Sequence, residues 1–268
     1  MSLIYEPSGK AREYSPLALN IYRGCDHGCA YCYINKFGAD NKHPVVRAGI
    51  VPQLENELRR QTIIKQVLVC FMTDPYCNKE TELMVTQSVL DLLANFDVPV
   101  AVLTKAGKRC LRDTKIFKRF THFKIGATLT FTNEKRSLKI EPGAATPSDR
   151  METLKILHDD FGFRTWVSLE PVIDPSQSLE IIDLTHEFVD EYQVGKINNY
   201  PAFDNKINWR EFGRQAVEKL LGYGKDFYVK KDLREKMDMN LDSKHTDIDY
   251  LTVGNKSQPQ KTEQAKLF

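Results

Sequence analysis

Arg23–Phe37 reads RGCDHGCAYCYINKF and places three of the chain's six cysteines, Cys25, Cys29 and Cys32, within eight residues. A thiolate is a soft ligand suited to zinc or to an iron–sulfur cluster, and three on one tight loop can surround one metal centre. A structural zinc site needs four protein ligands, whereas a cluster held by three cysteines leaves one iron open to another ligand. His27 is the fourth zinc ligand available inside the loop, so a non-enzymatic zinc-binding adaptor stands as one reading. Three unrelated structural cysteines are a poorer account, because buried cysteines have no reason to gather in a Gly-containing polar loop.

The loop follows a strand. Short β-branched runs recur through the chain, each followed by an amphipathic stretch, which is the pattern of βα units and a parallel sheet. Six strands are expected: Leu17–Tyr22, QVLVCFM from Gln66, VPVAVLT from Val98, HFKIGATLT from His122, RTWVSLEPV from Arg164 and YQVGKIN from Tyr192, with a seventh, DFYVKK, from Asp226. Between them PQLENELRRQTIIK, TELMVTQSVLDLLANF and SDRMETLKILHDDFGF read as crossover helices, the last with Ser148 as N-cap and Gly162 as its stop. The expected fold is α/β, a partial (β/α)6 barrel spanning residues 1–235, with its site at the C-terminal ends of the strands. From Lys236 to Phe268 the text turns polar and loses apolar periodicity, so a mobile tail is expected there.

With 268 residues, 41% hydrophobic and 28% charged, the composition is that of a soluble globular chain, and a net charge of +2 neither identifies nor excludes a nucleic-acid binder. No apolar run suggests a membrane span, and MSLIYEPSGKAREYSP lacks the apolar core of a signal peptide, so a cytoplasmic protein is expected. In that reducing compartment clustered thiols read as ligands rather than disulfides.

The spacing Cys-x3-Cys-x2-Cys with the aromatic Tyr31 before the last cysteine resembles the signature of the radical SAM superfamily, which carries it in the loop after the first strand of a partial barrel. CDHGCAYCY together with TDPYCNKE, LTKAGKRCLRD, EPGAATPSDRMETLKILHDDFG and SLEPVID further resembles the spore photoproduct lyase-like family, over about Asn20 to Val172. The resemblance implies that Cys25, Cys29 and Cys32 hold a 4Fe-4S cluster whose open iron is chelated by S-adenosylmethionine. It implies reductive cleavage of that cofactor to a 5'-deoxyadenosyl radical, which abstracts hydrogen from a substrate. Relatives often read DPYQ where this chain has Asp74, Pro75, Tyr76 and Cys77, which leaves the role of position 77 open.

Strand ends supply the remaining candidates. Thr73 and Asp74 fall where the superfamily binds the cofactor's amino group, and a carboxylate there accepts charge-assisted hydrogen bonds from an ammonium. Lys105 is a cation for the cofactor carboxylate or a substrate phosphate, and Thr128 and Thr130 end the fourth strand near the expected ribose. Ser168 and Glu170 share one face of the fifth strand, and Lys196 and Asn198 share one at the sixth. Tyr31 and these polar groups are expected around the cofactor, with Glu170 and Lys196 nearest the chemistry. Tyr76 and Cys77 are candidates for hydrogen-atom return, while Cys70 and Cys110 read as structural.

KAGKRCLR, Lys105–Arg112, is the densest basic run and is a track for a phosphate backbone if it borders the mouth. QAKLF, with Gln264, Leu267 and Phe268, resembles the short peptide by which bacterial DNA enzymes dock on the sliding clamp. The expected substrate is therefore a nucleic-acid base or base adduct, in repair or modification, with a protein electron donor as a further partner. A peptide or small metabolite is the second enzymatic reading.

Overall fold

The computed structural model describes residues 2–34, 38, 40–198 and 200–255, leaving the side chains of 201 and 202 aside. Among the described residues ten strands form: β1 (Ile4–Tyr5), β2 (Leu17–Leu19), β3 (Tyr22–Arg23), β4 (Val45–Val46), β5 (Val67–Val69), β6 (Val100–Thr104), β7 (Phe123–Thr128), β8 (Arg164–Leu169), β9 (Glu191–Val194) and β10 (Asp226–Val229). Eight of them make one sheet in the order β1-β2-β5-β6-β7-β8-β9-β10, curved but not closed. Every pairing from β2 to β10 is parallel, and β1 adds an antiparallel edge. The run at Asp226 is thus a full seventh parallel strand, one unit more than the six-stranded frame. β3 and β4 pair separately, and the cysteine loop is the connection between them.

Alternation along the strands sorts the core. Val67, Val69, Val100, Val102 and Ile125 face outward and pack with Leu54 and Leu58 of the helix Ile50–Arg60 and with Leu90 and Leu93 of Val85–Asn95. Val167, Leu169 and Val194 do the same against Leu154, Ile181, Ile182, Val217 and Leu220. The inward set is smaller: Leu68, Ala101 and Trp166 fill the barrel, with Tyr14, Phe71 and Leu103 packed on them.

Helix boundaries differ from the sequence reading: the first helix stops at Arg60, short of the expected Gln61–Lys65, and two further differences have a local cause. The helix Pro147–Asp159 is capped by Thr146, whose hydroxyl accepts from the Asp149 N–H at 3.2 Å, because Pro147 already occupies the first helical position and displaces the expected cap at Ser148. TELMVTQSVLDLLANF divides at Met84, which takes a left-handed conformation with φ of 53°.

Two connections complete the barrel, one across its open side and one across an end. The gap between β10 and β1 is crossed by Lys10–Tyr14: Lys10 pairs with Asp232 at 2.6 Å, Arg12 with Asp249 at 2.8 Å, and Glu13 accepts from the Tyr228 hydroxyl at 2.7 Å. At the N-terminal ends of the strands, residues 236–255 form a floor. Buried Lys124 donates to Glu191 at 2.6 Å and to the Leu251 carbonyl at 2.8 Å, the Val253 N–H donates to Gln66 at 2.9 Å, and His245 stacks on Phe227 with ring centroids 3.7 Å apart. Part of the expected mobile tail is therefore packed structure: Met237, Leu251 and Val253 are buried, while Met239 stays exposed. Residues 256–268, with Gln264, Leu267 and Phe268, lie outside the described residues.

Candidate active site

A cavity of about 540 Å³ opens at the C-terminal ends of the strands, and Cys25, Cys29 and Cys32 all line it. The three thiols are free. Their loop is fixed on both sides by backbone hydrogen bonds: Cys25 N–H to Asp40 at 2.9 Å, Ala30 N–H to Ile140 at 2.8 Å, and Gly143 N–H to His27 at 2.8 Å. Gly24 has φ of 86°, and a Cβ there would stand 2.5 Å from the Asp40 carbonyl, so only glycine lets the two limbs of the loop approach.

Burial pushes the Cys25 thiol up to about 11 and Cys29 up to about 12, so at neutral pH a cationic centre is what would draw off their protons. His27 does not join them. Its Nε2 faces Arg109 at 3.2 Å and its Nδ1 faces Asp74 at 3.6 Å, while burial pulls its pKa down to about 4. Among the described residues no three His, Cys, Asp or Glu side chains gather tightly enough for a single ion. With His27 held between Arg109 and Asp74, the four-ligand zinc reading lacks the fourth ligand it named, and three soft thiols lining one cavity suit an iron–sulfur cluster with an open iron.

Tyr31, Thr73, Asp74, Lys105, Thr128, Glu170, Lys196 and Asn198 line the same cavity, as the sequence indicated. Asp74 accepts from the Thr104 hydroxyl at 2.7 Å, the Lys105 N–H at 2.5 Å and the Tyr76 N–H at 2.9 Å. Burial alone would raise this carboxyl, but these donors, with His27 alongside, hold it below the usual range. Lys105 lies 5.7 Å from the centre of the Tyr31 ring. Behind the loop the Tyr31 hydroxyl donates to Glu141, which Arg150 also holds, at 2.7 Å.

The opposite wall centres on Glu170. It accepts from Tyr14 at 2.7 Å, from Asn198 at 3.1 Å and from Lys230, and Lys230 lies 3.4 Å from the centre of the Tyr14 ring. A Cβ on Gly195 would come within 3.0 Å of both Glu170 and Lys230, so this pair is packed by backbone on one side. Lys196 donates to both oxygens of Asp204 at 2.8 Å.

Four expected site residues do not reach the cavity. Tyr76 is buried with its hydroxyl donating to Asp113 at 3.0 Å, and Cys77 is fully buried in the turn beside it, its thiol pushed up to about 12 by burial. Thr130 points behind β7, its hydroxyl 3.5 Å from Glu141. Ser168 faces inward as expected but lies beneath Tyr14, whose hydroxyl is 2.9 Å away. Cys70, read as structural, does line the cavity, whereas Cys110 is buried with its thiol 3.3 Å from the Gly107 carbonyl. The basic run is largely consumed internally: Lys108 pairs with Glu152 at 2.7 Å, Arg109 turns to His27, and Arg112 pairs with Glu80. Sequence reading missed Tyr14, whose place depends on the crossing segment, and Lys230, which alternation with Tyr228 at the seventh strand would have placed inward.

Residues 19–189, well over half the chain, match the family model of the Radical SAM superfamily. The chain belongs to the radical SAM superfamily, whose members are enzymes that use a 4Fe-4S cluster and S-adenosylmethionine. An uncharacterised protein of Methanocaldococcus jannaschii is 27% identical over 191 residues, 67% of this chain and 70% of its own length. An uncharacterised protein of Mycobacterium tuberculosis is 26% identical over 168 residues, 58% of this chain and 49% of its own. Among solved structures, Streptococcus suis SuiB bound to S-adenosylmethionine superposes with a TM-score of 0.65 at 13% identity, over 85% of this chain and 53% of SuiB. Spore photoproduct lyase complexed with dinucleoside spore photoproduct gives 0.63 at 11% identity, over 84% and 78%. At these identities the structures share the fold, and this chain spans about half of SuiB.

Proposed function

We propose that this enzyme abstracts a hydrogen atom from a nucleic-acid base or base adduct, in repair or modification. The observation that carries the reading is the arrangement of one cavity: three free thiols and Tyr31 on one wall, Asp74 and Lys105 beside them, and an apolar and aromatic remainder that includes Phe71 and Tyr33 at the rim. Bound there, the cluster and S-adenosylmethionine supply an adenosyl radical that takes hydrogen from a nearby C–H bond.

The protein's own residues supply position and exclusion. Asp74, ionised and rigidly held, faces an ammonium; Lys105 faces a carboxylate. Thr128 offers a hydroxyl to a sugar. Tyr33, whose hydroxyl donates to the Phe71 carbonyl at 2.8 Å, lines the cavity beside Phe71. The nucleic acid is favoured over a peptide by the aromatic side chains of the lining, Tyr14, Tyr31 and Phe71, and the lyase with the same fold holds a dinucleoside. Two partner assignments remain part of the reading: a one-electron donor protein, and sliding-clamp docking through Gln264, Leu267 and Phe268. A cytoplasmic setting accords with six free cysteines, and no described helix is long and apolar enough to cross a membrane.

Anaerobically reconstituted protein, reduced with S-adenosylmethionine present, is expected to release 5'-deoxyadenosine, and more of it with damaged or unmodified DNA or RNA than with peptides. Equal stimulation by peptides and none by nucleic acid would replace the substrate assignment with the peptide reading.

A further inference from the structure

Four lysines and two carboxylates line the cavity: Lys10, Lys105, Lys196 and Lys230, with Asp74 and Glu170. Three of the lysines already have carboxylate partners. Lys10 pairs with Asp232 at 2.6 Å, Lys196 with Asp204 at 2.8 Å, and Lys230 with Glu170. The pairings come from three separate parts of the chain, so they are a property of the whole far wall rather than of one loop.

What is left is one charge of each sign. Among the described residues, Lys105 has no carboxylate partner and Asp74 has no lysine or arginine partner. They are neighbours on the cysteine side, joined through the Lys105 N–H. A single cation beside a single anion matches the zwitterionic amino-acid end of S-adenosylmethionine, so the bound cofactor would take up both. Among the described residues no unpaired charge would then remain for the substrate. The wall it would meet consists of Tyr14, Phe71, Met72, Leu103 and Ile197, with Tyr14 and Phe71 in edge contact at 6.0 Å between ring centroids. A phosphate or carboxylate brought against it would lose its hydration without gaining an unpaired cation, which is strongly unfavourable.

We infer that the part of the substrate entering this cavity carries no formal charge: an uncharged nucleobase enters, and the phosphates of its chain stay outside the mouth. The inference rests on the nucleic-acid reading for the identity of the group, and on the paired lysines for its neutrality.

The test uses holoenzyme carrying cluster and S-adenosylmethionine, titrated at low salt by equilibrium dialysis with thymidine, thymidine 5'-monophosphate and an N-acetylated dipeptide amide. Thymidine is expected to bind, and the monophosphate to bind less than about tenfold more tightly, since one new lysine–phosphate contact would give at least about that factor. D204N and D232N, which free Lys196 and Lys10 respectively, are expected to shift preference toward the monophosphate by about tenfold in a salt-sensitive way. A wild-type preference of tenfold or more for the monophosphate, lost in K196M or K10M, would overturn neutrality and leave the nucleic-acid reading standing. Uptake of the peptide amide alone would remove the nucleic-acid reading while retaining an uncharged substrate group. Uptake of none of the three, or no shift in either aspartate variant, would overturn the proposal.

Discussion

Arg150 donates to Glu141 at 2.7 Å directly behind the cysteine loop, and both side chains are sealed from solvent. Glu141 also accepts from Tyr31, and Arg150 donates to the Thr128 carbonyl at 2.9 Å, so one ion pair ties the metal-binding loop to the end of β7. Removing one member leaves a buried charge alone. Arg150→Met is expected to cost about 3–5 kcal/mol, and Arg150→Met with Glu141→Leu distinctly less. Denaturant unfolding of the cluster-free protein measures both; a cost below about 1 kcal/mol for the single change would show that the pair is not a structural tie.

Replacing Cys25, Cys29 or Cys32 by alanine should abolish the brown colour of the reconstituted protein and lower its iron to background. All three thiols line one cavity and His27 is engaged elsewhere, so each cysteine is expected to be needed. Iron and sulfide analysis decides it, and any single variant retaining a full cluster contradicts the ligand assignment.

Tyr76→Phe and Cys77→Ala probe two positions that sequence reading placed near the chemistry. Tyr76 gives up one buried hydrogen bond to Asp113, which keeps its bond from Gln87 at 2.6 Å, so a loss of roughly 1 kcal/mol in stability is expected. Cofactor cleavage, followed as 5'-deoxyadenosine formation per cluster, should stay within about threefold of wild type, equivalent to less than about 0.7 kcal/mol in barrier. A hundredfold fall with an intact cluster would restore either residue to the reaction.

The floor of the barrel should be acid-sensitive through His245. Its Nδ1 lies 3.0 Å from the Phe227 carbonyl, and its Nε2 is buried with no hydrogen-bond partner among the described residues. Burial lowers its pKa, so the folded protein binds the proton less readily than the unfolded chain. The stability it contributes is complete above the unfolded-state value, near pH 6.5, and is lost as pH falls toward the lower folded-state value. Thermal unfolding between pH 7.5 and 5 should therefore show a declining midpoint, with a flatter profile in His245→Phe; parallel profiles would exclude the histidine as the cause.

How far the sequence could be read depended on whether a residue's direction was set locally. Cys25, Cys29, Cys32 and Tyr31 announce themselves by spacing, and period-two alternation placed Glu170 inward because it continues a regular strand. Tyr76 and Cys77 follow β5 through an irregular turn, where alternation no longer defines a side. Tyr14 was illegible for another reason: it reaches Glu170, 156 residues away in sequence, by a segment that belongs to no strand. The polar text after Lys236 misled because the segment docks through backbone groups that side-chain patterning does not reveal, the Leu251 carbonyl meeting Lys124 and the Val253 N–H meeting Gln66.

The segment Lys10–Tyr14, which spans the open side of the sheet, also sets an order of events during synthesis. Its partners Glu170, Asp232 and Asp249 are translated long after it, and the three cysteines emerge from the ribosome only a few residues behind it. The metal-binding loop therefore spends nearly the whole of translation beside an incomplete wall, open to oxygen and to stray metals. Loading the cluster after Asp249 has docked, rather than on the nascent chain, is the sequence of assembly that this connectivity favours.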